Sequence, residues 1–128
     1  MNKIILIVED EKEMLELMKI YIKKSGLDLE IYSAYDGREG VEIYKKLVKE
    51  GKKPSLVIMD LKLPEMDGVE ASKKILQFDP DARIYGFTAF FDTPLAKNLL
   101  KVGAKKIIPR HVGFNGFIRE LKIFYGVK

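Results

Sequence analysis

Three carboxylates, a hydroxyl and a cation stand at the ends of short apolar runs that are far apart in the chain. Glu9 and Asp10 follow Ile4-Ile5-Leu6-Ile7-Val8, Asp60 follows Leu56-Val57-Ile58-Met59, Thr88 closes Ala82–Thr88, and Arg110 comes just after Lys106-Ile107-Ile108. Three carboxylates brought together raise one another's pKa and weaken the fold unless a cation joins them. An all-oxygen ligand set suits a hard ion, and Mg²⁺ held by a few carboxylates and waters is the natural occupant. An aspartate beside that ion is a nucleophile for phosphoryl transfer. Thr88 and Arg110 could then hold the oxygens of the transferred group. Taken singly, Glu9-Asp10 reads as a solvated acidic loop or helix cap, Thr88 as a strand-end hydroxyl, and Arg110 as a surface cation. Asp60 is harder to set aside, because a carboxylate directly after four apolar residues is costly unless it is used or paired. The joint pattern favours the chemistry.

What must position these residues is an alternation of strands and helices. Ile4–Val8 is β-branched without alternation, the mark of a strand covered on both faces. Met14, Leu15, Met18 and Ile22 recur at helical spacing, with Gly26 where a helix would stop. Leu29–Tyr35 reads as a second strand, and Asp36 with Glu39 forms a capping box before the stripe Val41, Tyr44, Leu47, Val48. The third strand ends at Asp60. Val69, Ser72, Ile75 and Leu76 carry a third helix, closed by Asp79-Pro80-Asp81. After the fourth strand, Thr93 caps a helix with Pro94 at its first position. The short fifth strand leads to a final helix lined by Phe117, Ile118, Leu121, Phe124 and Tyr125. Five such units in strict order predict a doubly wound α/β fold: a five-stranded parallel sheet flanked by five helices, joined by right-handed crossovers. In such sheets the functional crevice lies beyond the carboxyl ends of the strands, where the five polar residues fall.

Composition narrows the classes. A chain of 128 residues that is 47% hydrophobic and 33% charged fits one domain over residues 1–128. It has no cysteine, which excludes disulfides and thiolate metal sites. No run approaches a membrane span, and Glu9-Asp10-Glu11 follows the apolar N-terminus at once, so a buried strand in a cytoplasmic protein is expected rather than a secretory signal. The net charge is +4, but the cations are scattered among 19 acids. They form no basic block that would track a nucleic acid. Neither nucleic acid nor membrane is expected as a partner.

Val8-Glu9-Asp10-Glu11, Met59-Asp60-Leu61-Lys62-Leu63-Pro64-Glu65-Met66-Asp67-Gly68, Thr88-Ala89 and Val102-Gly103-Ala104 together resemble the receiver domains of two-component signalling, the CheY-like family. The resemblance covers essentially the whole chain, and Asp-x-x-x-Pro-x-Met-Asp-Gly is its most specific block. It implies the flavodoxin-like strand order 2-1-3-4-5 and a phosphoryl group accepted on Asp60. It implies Mg²⁺ bound by Glu9, Asp10, Asp60 and the backbone carbonyl of Lys62, with Thr88 turning toward the phosphoryl group. It implies a histidine kinase or phosphotransfer protein as donor, a downstream target protein, and a signalling switch that catalyses its own phosphorylation rather than a turnover enzyme. Pro64 and Gly68 would shape the loop that presents Lys62, and Asp67 would cap the next helix.

Two departures from that pattern stand out. Arg110 and His111 stand where the family usually has Lys and Pro, and an arginine fork differs from an ammonium in reach and geometry. Ile107 stands where many members carry a Tyr or Phe that reports phosphorylation. An alternative is therefore a pseudo-receiver, an interaction module with impaired switching, although all three acids and Thr88 are retained. An aspartyl phosphatase on a related fold would want a second Asp where Lys62 stands. A flavodoxin would want a phosphate-cradling loop where Glu9-Asp10-Glu11 stands. In the family the residues two beyond Asp60 and Thr88 flank the hydrolytic water; here these are Lys62 and Phe90, both large, so slow autodephosphorylation is expected. The adjacent Phe90 and Phe91 are expected on a loop where both cannot easily be buried. The sole histidine, His111, reads as a loop residue.

Overall fold

The residues expected to form strands and helices do so, with small shifts at the ends. The computed structural model describes residues 1–127. Strands β1 (Ile4–Val8), β2 (Glu30–Ala34), β3 (Leu56–Met59), β4 (Ile84–Thr88) and β5 (Lys106–Pro109) alternate with helices α1 (Lys12–Lys24), α2 (Gly37–Lys49), α3 (Gly68–Phe78), α4 (Pro94–Val102) and α5 (Gly113–Tyr125). The strands form one parallel sheet in the order β2-β1-β3-β4-β5. This is the order that the resemblance implied.

The sheet explains why β1 shows no alternation. Leu6 and Val8 point into one core layer with Tyr44, Ile75 and Leu99 from α2, α3 and α4. Ile5 and Ile7 point into the other with Leu15, Ile22, Phe117 and Leu121 from α1 and α5. Both faces are dry, so every position is apolar. The stack of Phe87 on Phe117, with centroids 4.8 Å apart, ties β4 to α5.

The expected caps are present. Asp36 accepts a hydrogen bond from the Glu39 N–H at 2.7 Å, and Glu39 returns one from the Tyr35 N–H at 2.9 Å, a box closed one residue before the cap. Asp67 accepts from the Glu70 N–H at 2.9 Å, and Thr93 from the Ala96 N–H at 3.3 Å. Substituting such a cap by Ala usually costs about 1 kcal/mol.

Three boundaries differ from expectation. As an edge strand, β2 has half-buried Ile31, Tyr32 and Ser33 at its centre, and Leu29 and Tyr35 fall outside it. The start of β4 is Ile84 rather than Ala82, because Ala82 belongs to the turn that follows Asp79. Between β5 and α5 lies a 3₁₀ turn, Arg110–Val112, which starts where Pro109 has no N–H to extend the ladder and ends at Gly113 with φ 72°.

Polar ties close the amino ends of the strands. The Tyr44 hydroxyl donates to Asp79 Oδ2 at 2.6 Å, and Lys53 Nζ reaches the same oxygen at 2.8 Å. Ser55 Oγ donates to the Ile4 carbonyl at 2.9 Å and lies 2.8 Å from the Tyr125 hydroxyl. These bonds join α2, α3, β1, β3 and α5 at one end of the sheet.

Candidate functional site

Strand register brings the acids together at the other end. Val8 pairs with Met59, so Glu9 and Asp60 leave adjacent central strands at the same level. The Asp60 N–H still donates to the Val8 carbonyl at 3.2 Å. One carboxylate oxygen from each of Glu9, Asp10 and Asp60 lies within 4.8 Å of the other two. Asp60 Oδ1 accepts from the Leu61 N–H at 2.8 Å. Gly68 begins α3 directly against this loop: its N–H donates to the Leu61 carbonyl at 2.8 Å, and a Cβ there would overlap the Asp60 carbonyl. The chain can therefore turn into α3 right beside Asp60.

Arg110 is neither a surface cation nor free. Its guanidinium donates to Glu9 Oε1 at 3.0 Å and to the Phe87 carbonyl at 2.8 Å, and it stands 3.9 Å from Asp60 Oδ1. It also lies over the Phe87 ring, 4.5 Å from the centroid. The pairing of Thr88 with Pro109 delivers it, placing residue 110 just past the end of β4. The Nε of Arg110 is buried without a hydrogen-bond partner among the described residues.

One cation does not balance three carboxylates. Glu9 is 1% exposed, and its carboxyl is pushed up to about 7, first by burial and then by the charge of Asp60. The Glu11 N–H, the Arg110 guanidinium and their short contacts pull it back only in part. Burial also raises the Asp60 carboxyl, against the pull of Arg110 and of the Leu61 N–H. Burial and crowding thus disfavour the charged carboxylates where a divalent cation would favour them. The donor set fits Mg²⁺: three carboxylates, with Asp10 exposed to solvent.

Lys62 and Thr88 complete the rim. Lys62 and Asp10 line one cleft of about 520 Å³, with Leu63, Pro64 and Leu95. Within that loop Glu65 has φ 66°, the only left-handed backbone outside glycine among the described residues. Thr88 is fully buried, and its Oγ accepts from the Phe90 N–H at 3.0 Å, which ties the hydroxyl to the loop beyond it. Phe90 and Phe91 are each 39% exposed, so neither is fully in nor fully out. Lys62 Nζ lies 4.9 Å from the Phe90 ring centroid, and Phe91 meets His111 edge-on at 5.0 Å. His111 is an exposed residue of the 3₁₀ turn, as its loop reading implied.

Phe87 is a site residue that the sequence reading did not include. Its carbonyl and ring both hold Arg110, and nothing in the run Ile84–Thr88 marks a carbonyl for that use.

Residues 5–122 match the family model of the response regulator receiver domain. The chain is 39% identical over 108 residues to the chemotaxis protein CheY of Thermotoga maritima, covering 84% of this chain and 85% of that protein. It is 36% identical over 104 residues to CheY of Bacillus subtilis, covering 81% and 82%. Among solved structures it is similar to the CheX-CheY-BeF3-Mg+2 complex from Borrelia burgdorferi, with a TM-score of 0.82 and 26% identity over 98% of this chain and 90% of that one. A CheY-like receiver domain from Methanospirillum hungatei gives 0.81 and 25%, over 96% and 93%.

Proposed function

The chain belongs to the response regulator receiver family, and on that premise we propose that it accepts a phosphoryl group on Asp60 in a Mg²⁺-dependent reaction and signals by protein contact. The observation that carries this reading is the convergence of the Glu9, Asp10 and Asp60 oxygens within 4.8 Å, with Arg110 beside them. Glu9, Asp10, Asp60 and the Lys62 carbonyl would hold Mg²⁺, which supplies charge neutralisation for an incoming phosphoryl group. The retained acids and Thr88 leave the non-switching alternative with no observation in its favour. Residues 1–128 are taken as one receiver domain.

Asp60 does the bond making. Its Oδ1 is held by the Leu61 N–H, which fixes the plane of the carboxylate. An oxygen of Asp60 forms the new bond to phosphorus as the bond from phosphorus to a donor imidazole breaks, and the imidazole keeps the electron pair and takes a proton. Arg110 reaches the phosphoryl oxygens by a small movement from its place 3.9 Å from Asp60 Oδ1. Thr88 donates its hydroxyl proton to the same group while its lone pair keeps the Phe90 N–H. The donor is a histidine kinase or phosphotransfer protein, the output passes to a downstream target protein, and both meet this chain in the cytoplasm. No helix among the described residues is long and apolar enough to cross a membrane. The transfer is self-catalysed, and the chain is a switch rather than a turnover enzyme.

Lys62 and Phe90 reach each other across the mouth of the site. A water attacking the acyl phosphate must pass between them, so the phosphorylated state is long-lived. The contact contributes roughly 0.5–1 kcal/mol, so Lys62→Ala or Phe90→Ala should speed dephosphorylation about two- to fivefold. Rates of phosphate loss measured after removal of the donor check this, and unchanged rates in both variants would refute the barrier.

The signal leaves through the segment that Thr88 pulls. Movement of its hydroxyl draws the Phe90 N–H, and with it the loop of Phe90 and Phe91 and the start of α4. Ile107 makes no buried-to-exposed ring flip, so the 88–94 loop with the faces of α4 and α5 forms the output surface. Beryllofluoride, a phosphoryl mimic, tests the whole reading. With Mg²⁺ it should shift the backbone amides of Asp60, Thr88, Phe90, Phe91 and α4, and without Mg²⁺ it should shift none. No response at all would overturn the phosphoryl site. A response confined to the surroundings of Asp60 would overturn only the output surface.

A further inference from the structure

A groove of about 660 Å³ runs between α1 and α5, and none of Glu9, Asp10 and Asp60 lines it. Where α1 begins beside the acidic rim, the residues that line the groove, Tyr21, Lys24 and Ser25, belong to its last turn and the cap beyond it. On α5 the lining extends from Asn115 to Ile123, about 12 Å along the axis, or roughly two turns of an accompanying helix, and Val127 adds to it beyond the helix end. Tyr21, half-buried and stacked on Phe114 at 4.8 Å, and half-buried Ile118 form an apolar floor. Ile123 is 65% exposed and Val127 41%. A solvent-facing isoleucine on an amphipathic helix is unremarkable alone, but here it borders a concave apolar surface.

The rim is of one sign. Among the described residues Lys24, Arg119 and Lys122 border the groove, no carboxylate does, and none of the three has an ion pair. Some lysines of this chain find acids within reach, among them Lys53 with Asp79 and Lys106 with Glu120, and the three cations of the groove do not. An apolar floor between unpaired cations is complementary to a helix with an apolar stripe flanked by Asp and Glu. A second copy of this chain fits poorly, because a twofold axis there would face one set of cations with the other.

We propose that the α1–α5 groove is a docking site for an acidic amphipathic helix of a partner protein. The inference does not rest on phosphoryl transfer. Because none of Glu9, Asp10, Asp60, Thr88 and Arg110 lines the groove, a partner bound there leaves the acidic rim open, and binding is the same with or without beryllofluoride.

The test is an amide NMR titration of the whole chain with a synthetic peptide of about four turns, with leucines along one stripe and glutamates elsewhere. A second peptide has lysine in place of each glutamate. The acidic peptide should give saturable shifts at Tyr21, Lys24, Ile118 and Ile123, weakened by salt, while the basic peptide gives none. The double variant Arg119→Glu with Lys122→Glu should bind the acidic peptide at least about tenfold more weakly. Ile123→Ser, a change at an exposed position, should weaken it while leaving the spectrum otherwise unchanged. Absence of saturable shifts, or equal binding of the two peptides, would overturn the proposal. So would shifts at these residues that depend on the concentration of the chain alone, which would assign the groove to self-association.

Discussion

Asp60→Asn should take up no phosphate from acetyl phosphate, whereas the wild-type chain with Mg²⁺ should gain the mass of a phosphoryl group. This is the largest effect expected from any single change, because an amide oxygen has neither the charge nor the basicity to displace a leaving group at phosphorus. The fold should survive the change. Asn keeps the oxygen that accepts the Leu61 N–H and removes one of the crowded charges. Nor can a neighbour take over: Glu9 is buried, with Oε1 bound to Arg110 and Oε2 to the Glu11 N–H. Intact-mass measurement should therefore show labelling reduced to background, at least about a thousandfold in rate. Labelling of the variant at the wild-type rate would remove Asp60 from the role proposed for it.

Glu9→Gln should change how stability depends on pH, by about 2–3 kcal/mol across the titration of Glu9. In the folded chain this carboxyl is raised from 4.5 to about 7, so the folded state binds the proton more tightly than the unfolded state does. The stabilisation is fully present below pH 4.5 and is lost as the pH rises through 7. Gln carries no such charge. In metal-free buffer the variant should therefore gain stability relative to wild type as the pH rises through that window. Mg²⁺ should reverse the comparison, since it binds the ionised wild-type group and stabilises that state by mass action. Urea unfolding at several pH values, with and without Mg²⁺, measures both effects. Parallel pH profiles for the two proteins would show that Glu9 holds no extra proton in the folded chain.

Much of this arrangement was legible in the sequence because it rests on local patterns. The unbroken Ile4–Val8 run announces a strand with two dry faces, and Asp36, Asp67 and Thr93 announce helix starts. Asp60 is conspicuous because four apolar residues precede it. Glu9 and Asp10 were less legible. As adjacent acids they look alike, yet alternation past the end of β1 turns Glu9 inward beside Asp60 and leaves Asp10 exposed. The seat of Arg110 was hidden altogether. It depends on the Thr88–Pro109 pairing and on the carbonyl and ring of Phe87, three features that meet only after the sheet has formed. The α1–α5 groove was hidden for a similar reason, since its wall alternates between outer faces of two helices that are distant in the chain.

The polar ties at the amino ends of the strands give the sheet an energetic direction. At that end Ser55, Tyr125, Tyr44, Asp79 and Lys53 satisfy one another, and little is gained by rearranging them. At the carboxyl end like charges are crowded, and an arginine nitrogen is buried without a partner. Local frustration is thus greatest at the carboxyl edge of the sheet. Fluctuations follow the same slope, because segments open most easily where fewest favourable contacts are lost. The same strands are therefore a fixed anchor at one end and a poised, easily biased lip at the other. A small chemical event at the lip can rearrange it without loosening the anchor.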